Sequence, residues 1–149
     1  QGPKFSSMES LNIFFILQLL SNFWMVAIIL FVQFVHYPLF YHVDNEHMPL
    51  FSQNHQSRIL FVVIPPMIAE VISYILLLTL LPDSVLLLLS GICLFLIWGS
   101  TFFLQVPCHQ ILLERKEVTT IKKLNQTNYI RTILWPIKFI LLLALYIRI

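Results

Sequence analysis

The sequence is poor in charged residues and in glycine. Charged side chains make up 11% of its 149 residues, and three glycines are too few for a glycine-rich linker. A soluble domain carries about 25% charged and about 45–50% apolar residues, whereas this chain is 58% hydrophobic. A soluble domain of this size cannot hide so much apolar surface, which excludes soluble enzymes and disordered chains. The formal net charge of +2 is too small to suggest nucleic-acid binding.

Familiar catalytic signatures are also missing. The chain has no phosphate-binding loop, no dinucleotide fingerprint, no convincing Ser-His-Asp arrangement, and no HxxxH or ExxH spacing. Its two cysteines, Cys93 and Cys108, lie in one apolar stretch, about 22 Å apart along a helix, which is too far for a disulfide within one chain. We expect both to be buried free thiols.

Four apolar stretches are long enough to cross a membrane. About 20 apolar residues span the hydrocarbon core, and a backbone without water must satisfy its own hydrogen bonds, so the stretches are helices. The predicted helices cover residues 11–36, 57–81, 84–107 and 127–148. The predicted fold is therefore an all-α, integral-membrane four-helix bundle. Residues 8–149 form its single domain, and residues 1–7 are interpreted as an expression-tag remnant.

The predicted connections differ in length. Residues 81–84 form a tight turn, whereas residues 38–56 and 107–126 form longer loops, the second with a short surface helix over 111–124. Four helices place both longer loops on one face of the membrane, which we name the near side, and both termini on the other.

Basic residues are concentrated on the near side. They are Arg58, Arg115, Lys116, Lys122, Lys123 and Arg131. The far side has Arg148 and the tag residue Lys4. The positive-inside rule therefore predicts a cytoplasmic near side and termini outside the cytoplasm, with a bacterial inner membrane as the expected location. A dual or inverted topology stays open.

Polar side chains occur at the near end of all four predicted helices. Spacings of three or four residues place those of each helix on one face. They are Gln33, His36, His55, Arg58, Gln105, His109, Asn128, Arg131 and Trp135. Either each side chain extends separately toward the lipid head groups, or all face inward and form one pocket. The coincidence on four helices favours the pocket.

The predicted pocket suits two kinds of chemistry. Three imidazoles, from His36, His55 and His109, could bind zinc, iron or copper and leave a coordination position open. Without a metal, the same histidines suit acid–base catalysis, with Arg58 or Arg131 holding an oxyanion. The remaining residues are then expected to contact the substrate; they are Gln33, Gln105, Asn128 and Trp135.

Two charged residues lie deeper in the predicted bundle. Glu70 and Lys138 fall at similar depths in the second and fourth helices, so we expect them to approach each other. They would be either an ion pair that fixes helix register or a proton relay. Pro65 and Pro66 are expected to kink the second helix, and Pro107 to end the third.

Short motifs in chain order resemble those of known membrane proteins. They are His36-Tyr37-Pro38-Leu39-Phe40, Pro65-Pro66-Met67, Gln105-Val106-Pro107-Cys108-His109 and Asn128-Tyr129-Ile130-Arg131-Thr132. The set resembles small uncharacterised bacterial four-helix membrane proteins and, more distantly, the DUF1772 (anthrone oxygenase-like) family. That resemblance implies oxygen-dependent oxidation of a polycyclic phenolic or other hydrophobic substrate, with His36, His109 and Arg131 carried over by motif position. Gln105 and His109 depart from the asparagine-type residues expected there.

The sequence thus favours a small membrane enzyme, of oxidoreductase or oxygenase type, whose polar pocket lies at the cytoplasmic end. Its expected partners are the lipid bilayer and a lipophilic small molecule, and oligomerisation through the lipid-facing surface stays open. The alternative is a proton-coupled transporter or lipophilic-ligand-binding protein that uses Glu70 and Lys138. A third alternative is an accessory subunit of a larger complex.

Overall fold

The computed structural model describes residues 8–149 with their side chains and residues 2–7 by their backbone alone. The interpretation of residues 1–7 as a tag remnant therefore lies outside the fully described residues. Within the described part the chain forms no strands, and its helices make four spans long and apolar enough to cross a membrane. These spans are Met8–His42, Met48–Leu80, Val85–Glu114 and Val118–Arg148. The predicted all-α, integral-membrane four-helix bundle is confirmed.

Two of the spans change helix type toward the near side. The first span consists of residues 8–31 of the α-helix Gly2–Phe31, the π-helical turn Val32–His36, the α-helical segment Tyr37–Leu39 and the 3-10 turn Phe40–His42. The third span consists of the α-helix Val85–Ser100, the π-helical turn Thr101–Gln105 and the α-helix Val106–Glu114. The second and fourth spans are the uninterrupted α-helices Met48–Leu80 and Val118–Arg148.

The helices extend beyond their predicted near-side ends. The predicted loops over 38–56 and 107–126 are wrong, because only residues 43–47 and 115–117 connect the helices there. The predicted surface helix over 111–124 is also wrong, because the break at 115–117 falls inside it. Hydropathy marks the part of a helix that lies in hydrocarbon, whereas the polar turns that continue into the interface resemble loop in composition.

Two prolines also account for the wrongly predicted near-side helix ends. Pro38 and Pro107 each lie in the first turn of a helical segment that follows a π-helical turn. A proline is tolerated there because its missing N–H is not needed. Each π-helical turn is closed by a wider hydrogen bond, from Tyr37 N–H to the Val32 carbonyl and from Val106 N–H to the Thr101 carbonyl. The third span therefore continues through Pro107.

The prolines inside the second span leave carbonyl groups without helical donors. Pro66 cannot donate to the carbonyl of Val62, one turn earlier. The indole Nε1 of Trp24, on the first span, donates to that carbonyl at 3.1 Å. A neighbouring helix thus satisfies a group that would otherwise be unpaired in lipid.

The tight turn between the second and third spans is confirmed. The second span ends at Leu80 and the third begins at Val85. The Ser84 hydroxyl accepts a hydrogen bond from the backbone N–H of Leu87 at 3.3 Å and so caps the third span.

The interior consists of three apolar clusters stacked along the bundle. The far cluster contains Phe15, Leu77, Leu87, Leu142 and Leu145. The middle cluster contains Met25, Ile29, Met67, Ile97 and Trp135. The near cluster contains Val32, Tyr37, Phe40, Met48, Cys108, Leu112, Ile121 and Leu124. Large apolar side chains such as Phe61, Phe95 and Phe103 face outward, as expected of a surface covered by lipid. Cys93 and Cys108 are buried free thiols, as predicted.

A buried ion pair lies beside the middle cluster. Lys138 Nζ is 3.0 Å from Glu70 Oε1, and both side chains are fully buried. The other carboxylate oxygen, Oε2, accepts a hydrogen bond from Trp135 Nε1 at 3.1 Å. The expected approach of Glu70 to Lys138 is therefore observed, and the two charges cancel inside the bundle.

The first span completes this ion-pair network. Lys138 Nζ donates to Asn22 Oδ1 at 2.9 Å. The Gln18 amide is best oriented with its oxygen accepting from Lys138 Nζ at 2.8 Å and its nitrogen donating to the Glu70 carbonyl at 2.9 Å. All three ammonium hydrogens of Lys138 then have acceptors, and the network joins the first, second and fourth spans.

Removing one member of the ion pair should destabilise the protein strongly. We expect Glu70→Gln, and separately Lys138→Met, to lower the free energy of unfolding by about 3–5 kcal/mol, because each leaves a charge or its partners unpaired in the interior. The double variant should lose less than the sum of the two. Denaturant unfolding in detergent micelles measures the effect, with Asp83→Asn in the exposed turn as the control. Additive losses would contradict the pairing.

Candidate functional site

A cavity of about 370 Å³ lies between the four spans toward the near side. Its volume falls within the range of about 300–1,000 Å³ that is typical of small-ligand sites. The deeper wall is apolar and includes Met25, Ile29, Val63, Met67 and Trp135. The near-side wall is polar and includes Tyr37, His55, Thr101, Gln105, His109 and Arg131. The cavity is thus an apolar chamber with a polar end.

Arg131 is the charged group of the polar end and is 8% exposed. Its Nε and Nη2 both donate to Asn128 Oδ1, at 2.9 and 2.6 Å. Its Nη1 donates to Thr101 Oγ1 and its Nη2 to Tyr37 Oη, each at 3.3 Å. No carboxylate of the described residues lies within ion-pair distance of the guanidinium. Only neutral dipoles therefore compensate this buried charge.

Gln33 holds the main partner of Arg131 in place. Its Oε1 accepts hydrogen bonds from Asn128 Nδ2 and from Thr132 Oγ1, both at 2.9 Å. Its Nε2 donates to Asn125 Oδ1 at 2.6 Å. With Asn128 Nδ2 engaged in this way, Asn128 Oδ1 is left facing Arg131. Gln33 is therefore a positioning residue for the guanidinium.

The second π-helical turn places another buried glutamine against the fourth span. Gln105 Nε2 donates to Thr127 Oγ1 at 3.0 Å, and its Oε1 accepts from Ser100 Oγ at 2.9 Å. Gln33 lies in the first π-helical turn in the same way. Single π-helical turns are rare and occur frequently at functional sites. Here both direct a buried amide toward the polar end of the cavity.

Tyr37 links Arg131 to His109. The Tyr37 hydroxyl lies 3.1 Å from His109 Nε2. Because Arg131 already donates to the hydroxyl oxygen, the hydroxyl hydrogen is free to be donated to His109 Nε2. A neutral His109 then carries its own hydrogen on Nδ1. This atom is buried and has no hydrogen-bond partner in the protein.

Two more histidines connect the cavity to the protein surface. His36 Nε2 and His55 Nδ1 form a hydrogen bond of 2.7 Å. Both residues line a shallow surface groove together with Arg58, and His55 also lines the cavity. The ring centroids of His55 and His109 are 5.2 Å apart. The three imidazoles thus form a row from the groove to the polar end.

These histidines do not fit the predicted metal site. The described residues contain no group of three or more histidine, cysteine, aspartate or glutamate side chains arranged to hold one ion. The reason is that His36 Nε2 and His55 Nδ1 bond each other, while His109 Nε2 bonds Tyr37. One nitrogen of each ring is thus engaged by another side chain, and the three rings are not grouped around one point that could hold zinc, iron or copper.

Three of the residues predicted to bind the substrate do not line the cavity, namely Gln33, Arg58 and Asn128, and Trp135 lines it in a different role from the one expected. Arg58 is exposed in the surface groove and does not line the cavity, because its position on the second span faces outward. Trp135 forms part of the cavity wall while its Nε1 bonds Glu70. It separates the cavity from the ion-pair network.

Sequence reasoning missed several side chains of this candidate site. Tyr37 and Thr101 are direct partners of Arg131, and Trp98 lines the cavity with a buried Nε1 that has no partner. A signal existed for Thr101, which lies four residues before Gln105 and so shares its helix face. The same spacing existed for Tyr37, which lies four residues after Gln33.

Comparison with known proteins finds no family model that matches the chain, and no curated protein or solved structure that matches it significantly. The resemblance to the anthrone oxygenase-like family therefore stays a hypothesis that depends on the short motifs alone.

Replacing Gln33 tests the positioning role assigned to it. We expect Gln33→Leu to lower the free energy of unfolding by about 1–3 kcal/mol, because Asn128 Nδ2 and Thr132 Oγ1 lose their shared acceptor in the interior. Denaturant unfolding in micelles measures the loss, and Gln53→Leu on the exposed face of the second span is the matched control. Equal stability of Gln33→Leu and Gln53→Leu would refute the assignment.

Proposed function

We propose that the protein is a small membrane enzyme that performs acid–base chemistry on a lipophilic substrate, within an oxidoreductase or oxygenase-type reaction. The observation that supports this most directly is the polar end of the cavity. There a buried cation without a carboxylate partner, Arg131, shares one chamber with His55, which is hydrogen-bonded to a second histidine. Active sites of this composition combine a base with a group that stabilises developing negative charge.

In the proposed reaction, His55 is the general base. Its Nε2 takes a proton from a substrate hydroxyl, or from a carbon next to a carbonyl group. At the same time its Nδ1–H is donated to His36 Nε2, 2.7 Å away. His36 borders the surface groove, so the proton leaves toward the near side. A histidine is suited to this role because its ordinary pKa is close to neutral pH.

Arg131 and its neighbours stabilise the anion that forms. The guanidinium is fixed by Asn128 before the substrate binds, so little reorganisation is needed when charge develops. His109 supplies a further donor through its Nδ1, which has no partner in the protein. The deeper apolar wall accommodates the body of the substrate.

The proposed oxidation step depends on the family resemblance. That resemblance implies that molecular oxygen reacts with the deprotonated substrate. For an anthrone, one molecule and one O₂ give one anthraquinone and one water, so that no further reductant is required. The deprotonation step is the part supported by the cavity geometry.

No observation favours the alternative of a proton-coupled transporter. Neither Glu70 nor Lys138 lines the cavity or the surface groove. Each is engaged by other side chains of the ion-pair network. A role in fixing the helices accounts for this pair more simply.

The proposed location is a bacterial inner membrane, with the near side in the cytoplasm and both termini outside. Of the near-side basic residues, Arg131 is buried and cannot report orientation. The near side still has more basic residues than the far side when Arg131 is left out. Those near-side residues are Arg58, Arg115, Lys116, Lys122 and Lys123. In this orientation the proton released through His36 enters the cytoplasm.

The proposed activity predicts base-dependent turnover of a lipophilic enolisable probe. Protein reconstituted in nanodiscs should exchange the acidic carbon-bound hydrogens of anthrone with deuterium from solvent under anaerobic conditions, and consume oxygen when air is admitted. We expect His55→Gln to lower the exchange rate by at least about 100-fold, because the base is lost. Arg131→Gln should lower it by about 100- to 1,000-fold, because an oxyanion donor is lost.

Matched substitutions away from the cavity provide the controls. His47→Gln in the linker and Arg148→Gln at the far end change the same residue types at exposed positions, so both should exchange anthrone at the wild-type rate. Exchange that is no faster in wild-type protein than in His55→Gln would refute the proposed activity.

A further inference from the structure

We infer that the cavity admits its ligand laterally from the bilayer, between the second and third spans. The ligand is a lipophile whose head group, a carboxylate or a phenolate, carries one negative charge and binds at Arg131. The inference deepens the proposed function by naming a route and a substrate class, and it uses the same site. Three features support it: a gap between two helices, a buried charge without an ionic partner, and a set of donors without acceptors.

The second and third spans are in contact at both ends of the gap. Toward the far side, the Tyr74 hydroxyl lies so close to Gly91 that a Cβ at this position would overlap it. At the near side, Gln56 Nε2 donates to the backbone carbonyl of His109 at 3.1 Å. The gap is therefore bounded above and below by direct contacts between the two helices.

Between these contacts, four cavity-lining residues also reach the outer surface. Leu60 and Ile64 of the second span are 51% and 38% exposed, and Phe102 and Val106 of the third are 56% and 39% exposed. Leu60 and Ile64 lie about 6 and 12 Å deeper than Gln56 along their helix. The gap is thus apolar and lies at the depth of the acyl chains, so a lipophile can reach the cavity without crossing water.

The charge at the inner end of this gap is unbalanced. The buried charged residues of the described chain are Glu70, Arg131 and Lys138. Glu70 and Lys138 neutralise each other at 3.0 Å, which leaves the single positive charge of Arg131. A buried charge in a membrane protein normally has a partner of opposite sign. A ligand anion provides the partner that the chain does not.

The polar end also offers several donors that have no acceptor in the protein. Of the five N–H groups of the Arg131 guanidinium, four have acceptors in the protein and one on Nη1 does not. His109 Nδ1 and Trp98 Nε1 are buried in lining residues and have no partner. An indole N–H can only donate, and His109 Nδ1 is a donor as well when the Tyr37 hydroxyl donates to His109 Nε2. Such a set matches a carboxylate or phenolate oxygen.

Tryptophan fluorescence provides the test. Trp98 and Trp135 line the cavity, whereas Trp24 faces outward and is 52% exposed. Bromine atoms quench the fluorescence of a nearby indole. Dibrominated stearic acid should therefore quench the cavity tryptophans of protein in nanodiscs even when little of the acid is present in the bilayer. Its methyl ester partitions into the same bilayer without the charge and reports quenching at the outer surface. We expect the acid to bind at least about tenfold more tightly than the ester.

A carboxylate introduced into the wall should compete with the ligand. Thr101 already contacts Arg131 Nη1, so Thr101→Asp supplies the missing negative charge, and Thr101→Asn is its neutral counterpart. We expect Thr101→Asp to bind the acid at least about tenfold more weakly than Thr101→Asn, while Thr79→Asp on the exposed face of the second span should bind like wild type. The acid–ester comparison uses wild-type protein, so it decides the question even where a variant does not fold.

The route is tested separately by kinetics. Val106→Phe narrows the gap, and we expect it to slow the onset of quenching severalfold while leaving the final level similar.

Equal binding of acid and ester would overturn the assigned head group, and an unchanged rate in Val106→Phe would overturn the lateral route. Acid-selective binding without anthrone exchange would support this inference and refute the proposed function. Anthrone exchange without acid selectivity would support the proposed function and refute the head group inferred here.

Discussion

The guanidinium of Arg131 is the constraint on which the near half of this bundle depends. A positive charge held inside a membrane protein needs compensation, and here it comes from Asn128, Thr101 and Tyr37 rather than from a carboxylate. Asn128 is itself held in place by Gln33, which is 1% exposed. The polar end of the cavity is thus a connected hydrogen-bond network around one cation, which a ligand in the cavity can contact.

Two π-helical turns make that network possible. The turns at Val32–His36 and Thr101–Gln105 each precede a proline and each contain a buried glutamine. An uninterrupted α-helix would place a different set of side chains against the fourth span. The ion pair of Glu70 and Lys138 has a separate task deeper in the bundle, where it joins three spans and leaves no net charge.

The sequence was sufficient to predict the fold class and the four spans, because long apolar stretches allow few alternatives in lipid. It also placed Glu70 and Lys138 together, since their depths can be counted along the helices. It misplaced the near-side helix ends, because polar turns and the prolines Pro38 and Pro107 resemble loop. The partners of Arg131 were only partly predictable: Asn128 lies three residues away on the same helix, whereas Tyr37 comes from another span and follows a π-helical turn.

Photo-crosslinking would show directly whether an anionic lipophile binds at Arg131. A long-chain fatty acid with a diazirine near its carboxyl group would be added to protein in nanodiscs, irradiated, and its attachment sites mapped by mass spectrometry. We expect attachment to residues that line the cavity with Arg131, such as Trp98, Thr101 and His109. Attachment confined to outward-facing residues such as Phe95 or Ile140 would contradict it.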